Sequence, residues 1–226
     1  VVEYDETFNC GGSIQIMDRH YWCHNHSGHG TQTLTQGLMN SCNPYFITIG
    51  QRLGVETFYK YFEAFGFTEK TGVDLGAEAL PKAGINYHSL SSMTKVNLAS
   101  SSFCQSFQAT PIQVLNAINA VVNDGKLMQP YIVAKTLDEK GNVISETKPV
   151  VKRQVISEST SDLIIASMEE VSTKGTAKNS YFAGYRVAGK TGTSDVLGPN
   201  GATGEYIASF AGCAPANDPE ISIIIV

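Results

Sequence analysis

"VAGKTGTS", residues 187–194, reads as a strand that carries one lysine among small residues. Gly189 and Gly192 leave the edge of that strand bare, so a ligand backbone can approach it closely. Strand alternation puts Lys190 and Gly192 on one face, Thr191 and Thr193 on the other. Such an edge suits pairing with an extended peptide. The competing reading is an ordinary Lys-Gly pair in a turn. That is the reading for the second copy, Lys70-Thr71-Gly72, which follows a helix stop at Gly66. Two further strands come after the first, in "EYIASFAGCAP" (205–215) and "ISIIIV" (221–226). The polar connectors "DVLGPNGATG" and "ANDP" separate them. Consecutive strands with short links predict an antiparallel meander.

Upstream, the pattern turns helical. "GTQTLTQGLMNSCN" has Leu34 and Leu38 four apart, a short helix running into Ser41. "NPYFITIGQRLG" restarts at once, with Asn43 as N-cap, Pro44 at the first helical position, and Phe46, Ile49 and Leu53 on one face. Gly54 ends it. "VETFYKYFEAFGF" repeats the pattern with Phe58, Tyr61, Phe62 and Phe65, read as core aromatics. Residues 67–103 read as loop and small turns. Thr110, Pro111 and Gln113 form a capping box for "TPIQVLNAINAVVNDG", whose Leu115, Ile118 and Val122 line the inner face. "YIVAKTLDEKGNVISETK" predicts a hairpin around "DEKGN". "SDLIIASMEEVSTKG" predicts a helix with Ile164, Met168 and Val171 inward. The first 30 residues read as irregular. The picture is α+β: a helical body packed with an antiparallel sheet.

Between the first two helices, Ser41 and Asn43 flank a break, so their side chains project sideways instead of joining a helical face. Read plainly, Asn43 caps the next helix and Ser41 does nothing. Read functionally, "SCN" is one of two short motifs that matter, with "KTGT"; spelling alone does not decide either. SxxK also occurs twice, at Ser92–Lys95 and Ser145–Lys148.

Composition narrows the classes. The chain has 226 residues, 42% hydrophobic and 16% charged, enough for a packed core. Net charge is −5 and no basic stripe appears, which argues against a nucleic-acid partner. No apolar run approaches the ~20 residues of a membrane span.

SxN followed by KTGT resembles the serine acyltransferases called penicillin-binding proteins and serine β-lactamases, whose signature set is SxxK, SxN and KTG. The likeness runs beyond the motifs. "GHGTQTLTQGLMNSCNPYFITIGQRLG" looks like the segment carrying SxN, and "FGFTEKTGVDLGAEA" like the stretch after it. "LASSSFCQSFQATPIQVLNAINAVVNDGKLMQPYIV" resembles the family's Gly-Gln-Gly and Thr-Pro region. "AGKTGTS" with "YIASFAGCAPANDPEISIIIV" resembles its third to fifth strands. The nearest pattern is the transpeptidase domain of class B penicillin-binding proteins, the division and sporulation type of Gram-positive bacteria.

That resemblance implies a peptidoglycan D,D-transpeptidase. The family's SxxK serine attacks the penultimate D-Ala carbonyl of a stem peptide, D-Ala leaves, and an amine of a neighbouring stem resolves the acyl-enzyme. Ser41 would relay a proton, Asn43 would bond the SxxK lysine and the substrate amide, and Lys190 would keep the site electropositive. Thr191 and Thr193 would bind the substrate carboxylate, and Gly192 would let the substrate strand pair. The family order is SxxK, SxN, KTG. Both SxxK spellings here follow SxN, so Ser92 and Ser145 are decoys and the nucleophile is expected upstream of Val1. Residues 1–226 are then expected to be a partial transpeptidase domain without the N-terminal strands, the SxxK helix and the C-terminal helix, inactive alone. The implied partners are peptidoglycan stem peptides, β-lactam antibiotics and a cell-wall synthesis complex, at the extracytoplasmic face of the membrane, with no cofactor. A β-lactamase, a β-lactam sensor and a non-catalytic wall scaffold share the fold. No Glu stands near the motifs to activate a deacylating water. One departure is that Gly-Gln-Gly appears as Cys104-Gln105-Ser106, and losing two glycines from a turn is expected to alter its geometry.

"RHYWCHNHSGHG", residues 19–30, holds four of the five histidines and Cys23. Its spacings match neither HxxxH nor CxxC frameworks, so no metal ligand is expected from it. His29 is expected to pack or hydrogen-bond at the helix entrance, with His20, His24 and His26 on the surface. Cys10 and Cys23 either pair, closing a loop of about 14 residues worth roughly 3 kcal/mol, or stay reduced.

Overall fold

The computed structural model describes residues 2, 3, 5–198 and 201–226. The N-terminal stretch is ordered, contrary to the sequence expectation. β1 (Thr7–Cys10) pairs antiparallel with β4 (Gly30–Thr33), and β2 (Ser13–Ile16) with β3 (Arg19–Trp22). Each strand has four residues, too short for a period-2 pattern to emerge from the surrounding His, Gly and Asn. Their order comes from pairing across the chain, with Cys10 opposite Gly30.

α1 (Leu34–Met39) starts at Thr33, whose hydroxyl accepts from the Gln36 amide while the Gln36 side chain accepts from the Thr33 amide. α2 (Asn43–Leu53) begins one residue earlier than its sequence suggests: Cys42 is the N-cap, with no side-chain cap bond. Its buried face is Pro44, Tyr45, Ile47 and Gly50 instead of Phe46, Ile49 and Leu53. α3 (Val55–Ala64) buries Phe62, which stacks on Phe67 at 5.1 Å and meets Phe107 edge-on at 5.3 Å. Tyr61 of the same helix is exposed.

Residues 67–103, expected as loop, contain α4 (Lys95–Ser102). Thr94 and Asn97 form its capping box. α4 packs on α2 through buried Leu98 and Ala99, and Gly50 lies where any Cβ would strike Ser102 Oγ. α5 (Pro111–Val122) is capped as its sequence predicts. Its innermost face, however, is Gln113, Asn116, Ala117 and Ala120. The two amides are buried because they hold loop carbonyls: Gln113 donates to Glu69 O at 3.0 Å and Asn116 to Met128 O at 3.1 Å. Ile118 and Val122 pack from the side.

β5 (Lys126–Met128) pairs with β8 (Val151–Gln154), and β6 (Lys135–Leu137) with β7 (Val143–Glu146), the expected hairpin. α6 (Glu158–Lys174) buries Met168 and Val171 with Ile164 packed beside them. β9 (Ala188–Gly198), β10 (Gly201–Ala214) and β11 (Ile221–Ile225) form the meander in the order β11-β10-β9. β9 and β10 extend through most of the expected connector 195–204, whose Pro199 and Asn200 lie outside the described residues. Met168, Ala188, Cys213 and Ala216 form the core between sheet and helices, joined by Leu38, Ile118 and Ile164. β9 is thus an edge strand of the described sheet with α6 packed against it.

Candidate active site

The fold brings Ser41 and Lys190 together: Lys190 Nζ donates to Ser41 Oγ at 2.9 Å, across 149 positions of sequence. The local cause is the way α1 ends. Cys42 N–H bonds Gly37 O at 3.0 Å and Ser41 N–H bonds Leu38 O at 3.1 Å. These two bonds make a Schellman ending, whose turning residue takes the left-handed conformation and is usually glycine. Here the residue is Ser41, at φ 48. The turn tips its hydroxyl off the helix toward β9. A second tether holds the two pieces in place. Thr176, just after α6, donates its N–H to Met39 O at 3.0 Å, and its hydroxyl accepts from Thr191 Oγ1 at 3.1 Å.

Lys190 also donates to Thr191 O at 2.7 Å. Burial pulls its ammonium below the usual lysine range, because desolvation disfavours the charged form. A partly desolvated ammonium against a serine hydroxyl favours any step in which that oxygen gains negative charge. Asn43, by contrast, does not sit on either group. Its Nδ2 donates to Trp22 O at 3.0 Å, which anchors the start of α2 to the end of β3. Gly192 is exposed, and a Cβ there would come within 2.7 Å of Ser209 Oγ, so the Ser209 hydroxyl would have to turn aside for any larger residue. Thr193 O accepts from Gln105 Nε2 at 3.4 Å, which seats the 104–106 loop beside the far end of the motif. Thr176 carries no motif of its own and is singled out only by its partners, Met39 and Thr191. Gln105 is the middle letter of the altered Gly-Gln-Gly, and its bond to Thr193 O joins that motif to KTGT.

The 104–106 loop corrects the expected change of geometry. Cys104 and Ser106 hold φ 65 and φ 68, so the backbone keeps the glycine-type turn and bears the strain of a side chain there, ~1–2 kcal/mol per residue. Cys104 is exposed. Cys104→Gly is therefore expected to stabilise the full-length protein by about 1 kcal/mol, less the entropy glycine loses. The check is a denaturant midpoint; a lower midpoint contradicts strain at this position.

The other spellings lie apart from this site. Thr71 is buried and bonds Glu78 Oε1 through both its amide and its hydroxyl at 2.6 Å, a loop brace. Ser92 bonds Ser89, and Ser145 bonds Thr136. A cavity of ≈ 440 Å³ lies between the end of α5 and residues 219–222 and includes no candidate residue. No helix among the described residues is long and apolar enough to cross a membrane.

Comparison with known proteins gives a consistent picture. The family model described as penicillin binding protein transpeptidase domain matches residues 1–226. Stage V sporulation protein D of Bacillus subtilis is 40% identical over 216 residues, 95% of this chain and 33% of that protein. A peptidoglycan D,D-transpeptidase FtsI homolog of Mesostigma viride is 31% identical over 212 residues, 85% of this chain and 35% of that protein. Among solved structures, penicillin binding protein 3 of Mycobacterium tuberculosis superposes with a TM-score of 0.86 at 26% identity, covering 99% of this chain and 51% of that one. The same protein has been solved with aztreonam and with ampicillin. The chain spans about a third of the length of the curated relatives it matches.

Proposed function

We propose that this chain, which belongs to the penicillin-binding protein transpeptidase family, supplies half of the active site of a serine D,D-transpeptidase that cross-links peptidoglycan. The observation that carries the reading is the contact between Lys190 Nζ and Ser41 Oγ. It joins the two motif residues that sequence alone could only spell.

In the proposed reaction a serine supplied from outside residues 1–226 attacks the penultimate D-Ala carbonyl. The terminal D-Ala leaves with a proton, and an acyl-enzyme remains until a neighbouring amine resolves it. Ser41 passes the proton between nucleophile and leaving nitrogen, while Lys190 stabilises the charge on the relay. Asn43, its amide nitrogen held by Trp22, offers its carbonyl end to the lysine of the absent SxxK pair. β9, as an edge strand, pairs with the stem peptide. Thr191 and Thr193 hydroxyls take its carboxylate, and the Thr193 N–H supports the oxyanion. Neither Ser92 nor Ser145 touches this relay, which supports an external nucleophile. β11 is an edge of the described sheet, and Ile221, Ile223 and Ile225 on one of its faces are exposed; we place a further strand of a longer parent beside that edge and another element of it over that face. β-Lactams are read as substrate mimics, and the parent as extracytoplasmic, working within a wall-synthesis complex.

The test is labelling of the full-length protein with a fluorescent penicillin, followed by mapping of the modified peptide. One label per chain, on a serine outside residues 1–226 that begins an SxxK, is the expected result. A label on Ser92 or Ser145, or no label, defeats the reading. Rapid release of hydrolysed penicillin would instead make the protein a β-lactamase.

A further inference from the structure

A second cluster lies on the other side of Ser41. Cys10 ends β1, Cys23 follows β3, His29 precedes β4, and Cys42 caps α2. The three cysteines are buried, at 2%, 0% and 0% exposure, and none is in a disulfide. The three sulfurs and one His29 ring nitrogen all lie within 4.8 Å of one another. Cys23 Sγ stands 3.4 Å from His29 Nδ1. In a zinc tetrahedron with bonds of ~2.3 Å to sulfur and ~2.1 Å to nitrogen, that edge is about 3.6 Å.

The surroundings are arranged for thiolates. Main-chain N–H groups of His29 and Gly12 face the Cys10 sulfur, those of Asn25 and Asn43 face Cys23, and that of Tyr45 faces Cys42. Gln32 is 2% exposed, and its side-chain oxygen is held by Asn40 Nδ2 at 2.9 Å. Its Nε2 is buried without a hydrogen-bond partner, beside the Cys42 sulfur. A neutral thiol is a weak acceptor for so many donors, whereas a thiolate is a good one. Burial opposes a bare thiolate, pushing Cys42 up to about 12, and a bound divalent cation removes that obstacle.

We propose that Cys10, Cys23, Cys42 and His29 form a structural zinc site of the closed three-cysteine, one-histidine type, each thiol giving up its proton as the metal binds. This runs against the expectation that the chain holds no metal ligand. The histidine-rich stretch contributes only Cys23 and His29. His20 and His26 pack against Trp22, and His24 bonds Asn40 O at 2.7 Å. The other two ligands come from β1 and from the middle of "SCN", beyond the reach of any spacing rule. Zinc would pin β1, the loop after β3 and the first residue before α2 to one point. Cys42 lies between Ser41 and Asn43, so the metal would fix the half-site from behind. That consequence rests on the transpeptidase reading; the metal itself does not.

The test is elemental analysis of the full-length protein, purified reduced and without chelators, with a cobalt(II)-exchanged sample alongside. About one zinc per chain and intense thiolate-to-cobalt charge-transfer bands of a tetrahedral site are expected. Cys10→Ser and His29→Ala should lose the metal, while His24→Ala and His26→Ala should keep it. Gln32→Leu should weaken binding ~10–100-fold. Substoichiometric zinc with freely titrating thiols overturns the proposal. So does a Cys10–Cys23 disulfide in the purified protein, or metal that follows His24 and His26. If the ligand variants fail to fold, the cobalt spectrum of the unaltered protein decides. Penicillin labelling, read separately, reports the acyl-transfer reading whichever way the metal result falls.

Discussion

Lys190→Met in the full-length protein is expected to slow acylation by penicillin ~10²–10³-fold, the scale of losing one preorganised electrostatic contact at a reacting centre, without weakening the fold. The two halves of this expectation have one cause. The ammonium is held in a partly desolvated place, against Ser41 Oγ and Thr191 O, and burial lowers its pKa. In the window between the lowered folded value and the usual 10.5, the unfolded chain binds more protons than the folded one. Stability therefore rises with pH through that window, and at neutral pH the charged lysine is a burden on the fold. If Lys190 acts as proposed, methionine of similar length removes the burden and the catalysis together. The acylation rate of the unaltered protein should decline on the alkaline side at a pH below the ordinary lysine range. Lys190→Arg, which does not deprotonate, should flatten that decline at a reduced rate. A midpoint lowered by several kcal/mol in Lys190→Met would make Lys190 a tether instead of a catalytic group.

The elements legible in sequence are those whose signals are local. Thr110, Pro111 and Gln113 announce α5 because a capping box is a contact among near neighbours. The meander of β9 to β11 is legible because its turns are written between its strands. α4 was hidden because a Ser-rich stretch has weak helix preference, and what orders it is Leu98 and Ala99 against α2. The inner faces of α2 and α5 differ from their apolar spacing for one reason. Apolar spacing finds the greasy side of a helix, whereas here the closest approaches use Gly50 against Ser102, and Gln113 and Asn116 against loop carbonyls. Ser41 and Lys190 were legible as motif letters, but their contact was not. Thr176 has no signal in the sequence, because its partner Thr191 is supplied by tertiary structure; Gln105 is legible as a motif letter, but its bond to Thr193 is not. The same holds for the cysteines. Cys10, Cys23 and Cys42 show no framework in one dimension and converge only when β1, β3 and α2 meet.

On the proposed relay, Ser41 is expected to separate activity from stability. Its hydroxyl receives the Lys190 hydrogen bond, while its backbone, at φ 48, takes the place of a Schellman glycine. Two substitutions divide these roles. Ser41→Ala removes the hydroxyl and leaves the left-handed strain, so acylation is expected to fall ~10²–10⁴-fold, the range for a proton-relay group, with stability changed by less than about 1 kcal/mol. Ser41→Gly removes both, so acylation should fall as far while the denaturant midpoint rises by the equivalent of about 1 kcal/mol. The strain is then a cost retained because the turn must carry an oxygen, as expected where a functional group occupies a position that backbone physics reserves for glycine. If Ser41→Gly and Ser41→Ala acylate at the unaltered rate, Ser41 is only the end of a helix and the relay fails. If both lose activity but glycine is the less stable of the two, the left-handed turn is not strained, and Ser41 was chosen for its hydroxyl at no expense to the fold.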